Sequence, residues 1–450
     1  MENSIENFTE NSLAREFNFS SLLKFALPTI VMMIFTALYT IVDGIFISRF
    51  IGTGALSAVN IVFPVINIIL AIAIMLATGG SAIIARKMGE GKLKEARENF
   101  TLIVVVGFVT GAVICIAGKI FIEPIVNVLG ANENILKYCY DYLGTMLVFA
   151  PAMVLQLLFQ TFFVAAGKPV LGLVLTVIAG VINAVFDYVF IVPMGFGITG
   201  AALATSMGYL IPSIVGIIYF MRKKGDLYFA FPKFDIKVIV ESCFNGSSEM
   251  VTNISSGIIT FLFNIIMMKY LGENGVAAIT IVLYGQFLLS ALYMGFSFGV
   301  APVISYNHGS ENIKQLKKIF KICAVFIGAS SIIIFITSLV FSKSIVQVFS
   351  PIGSEVYEIA IRGYILFALS FIFSGINIFA SSMFTAFSNG KVSAIISFLR
   401  TFVFIILGII LLPKALGVDG IWLAVPFAEV LTMIISLGYI KNGRKEYHYL

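Results

Sequence analysis

Apolar stretches long enough to cross a lipid bilayer recur along the whole chain. A hydrocarbon core about 30 Å thick needs about 20 apolar residues in a helix, and runs of this length follow one another with short polar gaps. Of the 450 residues, 59% are hydrophobic and only 12% are charged, whereas a soluble domain carries about 25% charged residues. Because a membrane core offers no water to bond the backbone, such a chain folds as a bundle of transmembrane helices.

Glycines, prolines and charge clusters divide the chain into predicted spans. The spans cover residues 22–48, 54–84, 100–122, 134–158, 162–192, 197–221, 238–269, 274–304, 314–341, 355–385, 391–412 and 417–440. The sequence therefore predicts an all-α integral membrane protein with twelve transmembrane helices. The polar, acidic residues 1–21 lead into the first apolar run without a small-residue cleavage site, so we interpret that run as a span rather than a signal peptide.

Basic residues are concentrated in alternate connections. One set of loops and the C-terminal tail hold Arg86, Lys87, Lys92, Lys94, Arg97, Arg222, Lys223, Lys224, Lys233, Lys237, Lys314, Lys317, Lys318, Lys321, Lys441, Arg444 and Lys445. The opposite set holds only isolated basic residues. Cytoplasmic loops carry the Lys/Arg excess, so we predict a multi-pass protein of the inner (plasma) membrane with both termini cytoplasmic. This placement also explains the net charge of +6 without a nucleic-acid partner, and we expect a monomer in the lipid bilayer.

Sliding the sequence by about 220 positions reveals an internal repeat. The coinciding pairs include Ala58 with Ala278, Gly79 with Gly299, Gly89 with Gly309, Pro193 with Pro413, Gly200 with Gly420 and Ala204 with Ala424. Each half holds six helices, so the halves share an orientation and are related by an axis along the membrane normal, with a substrate site between them. We predict a first lobe over residues 1–225, a cytoplasmic linker over 226–236 and a second lobe over 237–450.

Ionisable residues inside the first-half spans are Asp43 and Asp187. Such residues are costly in a bilayer, so they face the bundle interior and are functional candidates. Asp43 shares one helical face with Thr36 and Tyr39, and Asn183 lies four residues before Asp187 on another helix. Both carboxylates fall near the outer ends of their helices. They could bind a hard cation such as Na⁺, share a proton, or simply hold helices together by hydrogen bonds.

The second half carries Glu249, Arg400 and Glu429 within its spans. We expect Arg400 and Glu429 to pair with each other or with Glu249 rather than to serve a substrate. Two polar stripes lie on spans 7 and 10, and these could line a wet central cavity together with Gln156 and Gln160, or merely let helices pack. The stripes comprise Glu249, Thr252, Asn253, Ser256, Thr260 and Asn264, and Ser370, Ser374, Asn377, Ser381 and Thr385. Met294 suits adaptable apolar contacts with a substrate.

Signatures of other function classes are missing. Gly118-Lys119 is followed by Ile120 and does not form a phosphate-binding loop. The two histidines, His308 and His448, are too scattered for zinc hydrolysis, and no GxSxG elbow occurs. Four cysteines without paired spacing support neither a disulfide framework nor a zinc site. We therefore expect a transporter that is not an enzyme and that uses no cofactor other than a coupling ion.

Several segments together resemble the MATE (multidrug and toxic compound extrusion) family, and within it the MepA-type branch. The similar segments are Leu27-Pro28-Thr29, Val42-Asp43-Gly44, Ala58-Val59-Asn60, Ala165-Ala166-Gly167-Lys168-Pro169, Asn183 with Asp187, Gly200-Ala201-Ala202-Leu203-Ala204-Thr205, and Gly246-Ser247-Ser248-Glu249-Met250. The resemblance covers nearly the whole chain. It implies the fold shared by MATE proteins and the wider MOP flippase superfamily, in which two pseudo-symmetric six-helix lobes form a V.

The function implied by the resemblance is antiport, in which cationic, amphipathic drugs leave the cell while Na⁺ or H⁺ enters. The residues that match the family's cation site are Asp43, Tyr142, Gln160, Asn183, Asp187 and Thr205, and Pro28 matches a proline associated with bending of the first helix. The positions expected to contact the substrate are Thr36, Tyr39, Gln156, Glu249, Asn253, Ser256, Met294 and Asn377. The chain departs from the pattern at Gln160, where relatives more often have Asn, and on span 10, where Asn377 and Ser381 occupy the region of an acid.

Two other functions are compatible with this architecture or composition. A flippase for lipid-linked cell-envelope precursors would need several Arg or Lys in its cavity to hold pyrophosphate, but the intramembrane acids outnumber the single basic Arg400. An intramembrane enzyme would need a nucleophile–base pair, and the spans offer none. The excess of acids favours a cationic cargo.

Overall fold

The computed structural model describes residues 12–131 and 133–450, without the side chains at 41–45, 47–49, 53, 56, 133 and 134. The helices are α1 (Phe19–Phe50), α2 (Thr53–Gly89), α3 (Leu93–Ile120), α4 (Ile122–Val128), α5 (Glu133–Val148), α6 (Ala150–Ala165), α7 (Pro169–Ile191), α8 (Gly197–Met221), α9 (Ile236–Gly309), α10 (Ile313–Val340), α11 (Ser342–Phe349), α12 (Glu355–Ala368), α13 (Phe371–Ala386), α14 (Gly390–Phe398), α15 (Phe404–Leu416), α16 (Val418–Trp422) and α17 (Ala424–Tyr447). A π-helical segment, Leu399–Val403, joins α14 to α15.

The all-α architecture predicted from the sequence is confirmed. Among the described residues, nine helices are long and apolar enough to cross a membrane, or eleven spans if each of two bent helix pairs counts as one. The 74-residue α9 contains a break at Gly272, whose φ of 63° is open to glycine but not to most other residues. Dividing α9 at this glycine gives twelve spans, as the apolar runs predict.

Two of the twelve spans are sharply bent. The axis bends by 54° between α5 and α6, and again by 54° between α12 and α13. The predicted boundary after residue 158 is also wrong, because α6 continues to Ala165 and α7 begins at Pro169. The first residue of a helix does not use its N–H in an intrahelical hydrogen bond, so proline, which lacks this N–H, is favoured there. Pro169 therefore favours a helix that begins at this residue.

The two halves of the chain meet where α1 and α2 pack against α9. A Cβ at Gly89 would overlap the Tyr306 carbonyl oxygen, and a Cβ at Gly309 would overlap the Arg86 carbonyl oxygen. These two contacts are equivalent under the sequence repeat, since Gly89 matches Gly309 and Arg86 matches Tyr306. The backbones therefore touch directly, which only glycine allows at this distance.

A second pair of close contacts lies further along the same helices. A Cβ at Gly246 would overlap the Met75 carbonyl oxygen, and a Cβ at Gly295 would lie 2.5 Å from the Ile30 Cα. We call the four glycines at residues 89, 246, 295 and 309, with the backbone they touch, the seam. The Arg86 guanidinium also donates from Nη2 to Glu241 Oε1 at 2.8 Å across it. We call the end of the bundle that carries Gly89 and Gly309 the seam end. The basic connections identified in the sequence lie at this end.

Buried apolar residues form two clusters. The larger cluster takes residues from both halves, whereas the smaller one takes residues from the second half alone. The connection between α8 and α9 is tied to α3, because Arg97 Nε donates to the Asp226 carbonyl oxygen at 2.8 Å and the guanidinium lies 4.0 Å from the Tyr228 ring centroid. Burial raises the pKa of the Asp226 carboxyl, although Arg97 and Lys168 oppose the shift. This connection is thus packed on the first half.

Candidate functional site

A polar stripe on α7 is buried in the first half of the chain. Thr176, Gly180, Asn183 and Asp187 follow one another at three- and four-residue intervals, which places them on one helical face. That face packs against α1 and α8. Asp187 is only 1% exposed, and Asn183 Nδ2 donates to Thr205 Oγ1 at 3.3 Å. Three residues of the predicted cation site therefore come from two packed helices.

The partner acid of the predicted site lies on α1. Asp43 falls within this helix, but its side chain is outside those that the structure describes. The described part of α1 does approach the α7 stripe, since a Cβ at Gly180 would lie 3.7 Å from Tyr39 Cδ1. Thr36 donates to its own helix at the Met32 carbonyl oxygen. Pro28 lies inside α1, where it removes one backbone hydrogen bond.

Gln160 contacts the opposite end of the same stripe. Its Nε2 donates to Thr176 Oγ1 at 3.1 Å, about 10 Å along the helix from Asn183. Gln156, Gln160 and Thr176 surround a cavity of about 10 Å³, which is enough for about one water molecule. Tyr142 is buried on α5. Gln160 therefore contacts the stripe at Thr176, about two helical turns from Asn183.

Exposed polar side chains occur on α1, α2 and α9, in the parts of these helices that lie away from Gly89 and Gly309. Thr40 on α1, Asn60 on α2, and Ser256 and Thr260 on α9 are all exposed. Polar groups at membrane depth face protein or a water-filled cavity rather than lipid. Ser256 and Thr260 belong to the predicted cavity-lining face of span 7, as does the half-buried Asn253. Met294 is half-buried on the second part of α9.

Arg400 and Glu429 form a buried network with two polar residues of the second half, Asn377 and Ser436. Arg400 Nε donates to Glu429 Oε1 at 2.9 Å, which confirms the pairing expected from the sequence. Asn377 Nδ2 donates to the other carboxylate oxygen of Glu429 at 2.7 Å and to its backbone carbonyl oxygen at 2.9 Å, and Ser436 donates to Asn377 Oδ1 at 2.9 Å. Asn377 is fully buried. It was expected at the cavity wall, but in the structure it holds α13 to α17.

The sequence did not reveal this network because its members are far apart in the chain. Ser436 lies seven residues after Glu429 and thus on the same face of α17, which is the one signal that could have pointed to it. The rest of the α13 stripe has a packing role, since the Ser381 and Ser393 hydroxyls lie 2.9 Å apart and Thr385 lies 2.8 Å from Ser393. These hydroxyl contacts join α13 to α14.

The described side chains include no group of three or more His, Cys, Asp or Glu residues placed to hold a metal ion. Asp43 lies outside that set. The oxygen donors that the α7 stripe offers are an amide, a hydroxyl and one carboxylate, and such donors suit a weakly held monovalent ion or a proton rather than a transition metal.

Apolar spans around buried intramembrane polar groups, arranged as two repeated halves, define a membrane transporter rather than an enzyme. The chain belongs to the MatE family, whose model matches residues 28–189 and 250–410. It is 24% identical over 448 residues to the multidrug export protein MepA of Staphylococcus haemolyticus, covering 97% of this chain and 95% of that protein. It is 22% identical to MepA of Staphylococcus saprophyticus, covering 90% and 88%.

The fold is also similar to solved structures. A multidrug resistance MATE family transporter of the MOP superfamily, in an outward-facing conformation, superposes with a TM-score of 0.91 at 20% identity, covering 98% of each chain. A MOP superfamily transporter from Pyrococcus furiosus gives a TM-score of 0.88, covering 96% of this chain and 98% of that one. The twelve-span fold expected from the resemblance is thus confirmed.

Proposed function

We propose that this protein is a secondary active exporter that carries cationic, amphipathic small molecules out of the cell in exchange for inward Na⁺ or H⁺. The observation that carries the proposal is the buried α7 stripe, in which Asp187 is 1% exposed inside a transporter fold. A carboxylate buried at this position inside the membrane is costly to keep charged. A bound ion or proton removes that cost.

We propose that Asp43, Asn183, Asp187 and Thr205 form the coupling-ion site, with Tyr142 and Gln160 close by. The approach of Tyr39 to Gly180 supports this arrangement, because it brings the α1 face that carries Asp43 against the α7 stripe. The Asn183–Thr205 hydrogen bond supports it from the other side.

The seam end of the bundle is proposed to face the cytoplasm of a bacterial-type plasma membrane. Loops at this end carry the excess of Lys and Arg. The exposed polar residues of α1, α2 and α9 then line a cavity that opens to the outside, and a monomer with lobes 1–225 and 237–450 suffices to enclose it. A cationic cargo is favoured over a pyrophosphate-linked lipid because Arg400, the basic residue at mid-span, is already bonded to Glu429.

Transport by the purified full-length chain in proteoliposomes tests this function. We expect an inward Na⁺ or H⁺ gradient, imposed separately, to drive ethidium out against its concentration gradient. Asp187→Asn and Asp43→Asn should abolish this gradient-driven export, because the neutral amide cannot exchange a charge.

Asp141→Asn is the matched control, since Asp141 is a half-buried acid on α5 of the same half that lies outside the proposed site. It should retain wild-type export. Undiminished ethidium export in both Asp187→Asn and Asp43→Asn would refute the coupling role. If neither an Na⁺ gradient nor an H⁺ gradient drives export, the proposed function is refuted.

A further inference from the structure

Glu249 is a buried acid that the first-half ion site does not use. It lies on α9 and is 8% exposed. Its backbone carbonyl oxygen accepts a hydrogen bond from Asn253, but among the described residues no hydrogen bond or ion pair reaches its carboxylate. Arg400 is the charged group that acts on Glu249 electrostatically. A buried carboxylate without a direct partner is expensive to keep ionised, and either a proton or a cation bound beside it would remove this cost.

The local charges do not balance. Glu249 and Glu429 contribute two negative charges, whereas Arg400 contributes one positive charge. The neighbouring elements add none at this depth: α13 has no charged residue, and α2 meets this turn of α9 through Met75 and Gly79. Near the seam end, Arg86 is bonded to Glu241 and Lys391 on α14 is exposed. Asp43 and Arg49 on α1, which also packs against α9, lie outside the described side chains. One further positive charge would neutralise the cluster.

Arg400 is positioned to serve both acids. It belongs to the π-helical segment, which packs against α9 on one side and α17 on the other. A π-helical turn adds one residue to the helix and is frequent at functional sites. Glu429 has a second partner, because Asn377 donates to its other carboxylate oxygen. If the Arg400 guanidinium moves toward Glu249, Glu429 therefore keeps its hydrogen bond from Asn377.

We propose that Glu249, Arg400 and Glu429 form a second charge-exchange site, which takes either one proton or the positive charge of one cargo molecule. The inference rests on the proposed export of cationic cargo. When Glu249 is protonated the cluster is neutral, with Arg400 on Glu429. When cargo binds, Glu249 releases its proton to the solution and the cargo cation balances its carboxylate. The second half thereby exchanges one charge for another without a sodium ion.

Equilibrium binding of tetraphenylphosphonium to the full-length protein in lipid nanodiscs tests the exchange, and it requires no ion gradient. The wild type should bind the cation more weakly as the pH falls, with Kd rising about tenfold per pH unit on the acid side of one transition, as expected for competition with a single proton. Glu249→Gln should bind weakly and show no transition. Glu358→Gln, an exposed acid on α12, should keep the wild-type profile.

The double variant Arg400→Gln with Glu429→Gln tests the role of the pair. It removes one charge of each sign, and thereby removes the cation that favours the ionised form of Glu249. The proton then competes better, so the transition should move to higher pH. An unchanged midpoint would show that the pair only holds α17 in place and would overturn the sharing of Arg400. Arg400→Lys with Glu429→Asp keeps both charges and should retain the transition near its wild-type pH if the double glutamine variant does not fold.

Infrared difference spectra provide a second readout that does not depend on cargo. Acidification of the wild type should produce the carbonyl band of protonated carboxylic acids, and Glu249→Gln should lack one component of this band. Retention of the full band in Glu249→Gln, or a wild-type binding profile in that variant, would overturn the proposal. If gradient-driven export fails but the binding and infrared results are as expected, the proposed function is contradicted and the charge-exchange site is not.

Discussion

At the scale of single residues, the hydrogen bond between Asn183 and Thr205 joins two helices at the proposed ion site. The donor is Asn183 Nδ2 and the acceptor is Thr205 Oγ1, at 3.3 Å. Because this hydrogen bond fixes the amide group of Asn183, the amide oxygen is held in one orientation. An oxygen ligand held in one orientation binds an ion more tightly than one that must first be ordered.

Thr205→Val tests this orientation, because valine keeps the shape of threonine but cannot accept the hydrogen bond. Loss of one such bond costs about 1 kcal/mol, so we expect the coupling-ion concentration for half-maximal export to rise about fivefold. Thr205→Ser retains the hydroxyl and should stay within about twofold of the wild type. The measurement is export from proteoliposomes over a series of Na⁺ or H⁺ concentrations. Equal ion dependence in the valine and serine variants would contradict the proposed role.

The sequence predicted one buried face of the proposed ion site but did not predict part of the second-half network. Asn183 and Asp187 were assigned to one buried face because their four-residue spacing fixes that geometry in any α-helix. The pairing of Asn377 with Glu429 could not be foreseen, since 52 residues separate them and only the packing of α13 on α17 brings them together. Local periodicity gives the face of a helix but not the helix opposite.

At the scale of helices, the seam depends on direct backbone contact. Gly89 and Gly309 each face a carbonyl oxygen of the other half, and neither leaves room for a methyl group. Overpacking of this kind costs about 1–3 kcal/mol. Alanine would by itself stabilise a helix by about 1 kcal/mol relative to glycine. Any loss on substitution therefore reflects the contact between the halves and not the helix itself.

Gly89→Ala and Gly309→Ala should hold the seam end open. We expect each to lower export by at least about tenfold at wild-type levels of inserted protein, since about 1.4 kcal/mol corresponds to a factor of ten. In a variant retaining Cys243, a half-buried residue beside the seam, as its sole cysteine, the rate of maleimide labelling from the seam side should rise. Gly257→Ala is the control, because its Cβ would meet nothing within 4 Å. Slow labelling with full export in both seam variants would contradict a role of the glycine contacts in closing the seam end.

The bends in two spans show where sequence reasoning about helices stops. Apolar length predicts that a segment crosses the bilayer, because bilayer thickness sets that length. It does not predict the 54° change of direction between α5 and α6 or between α12 and α13. Pro151 in the first turn of α6 marks the first bend. The second, at Leu369 and Ser370, contains no proline or glycine and follows from packing against neighbouring helices.

At the scale of the whole molecule, the two halves join through extensive packing and not through the connection between them alone. The larger buried apolar cluster includes residues from both halves. The connection after α8 is held to α3 by Arg97, so it belongs structurally to the first half. The interface itself is built by α1 and α2 against α9.

We therefore expect residues 1–225 and residues 237–450, expressed together as separate polypeptides, to assemble in the membrane. A tag on the first polypeptide should recover the second from detergent extracts, because backbone contacts along the seam persist without the connection. The same pair carrying Gly89→Ala and Gly309→Ala should be recovered poorly. Equal recovery of the two pairs, or none with the wild-type sequences, would count against a self-sufficient interface.

The reciprocal contacts of the seam have a consequence beyond transport. Gly89 touches the Tyr306 carbonyl oxygen as Gly309 touches that of Arg86, so each side of the interface is a copy of the other. An isologous interface of this kind is the surface that two identical subunits use to form a twofold dimer. The seam thus preserves within one polypeptide the docking geometry of a homodimer. Differences between the two halves, such as Glu249 and its repeat-equivalent Thr29, could not occur in a dimer of identical subunits.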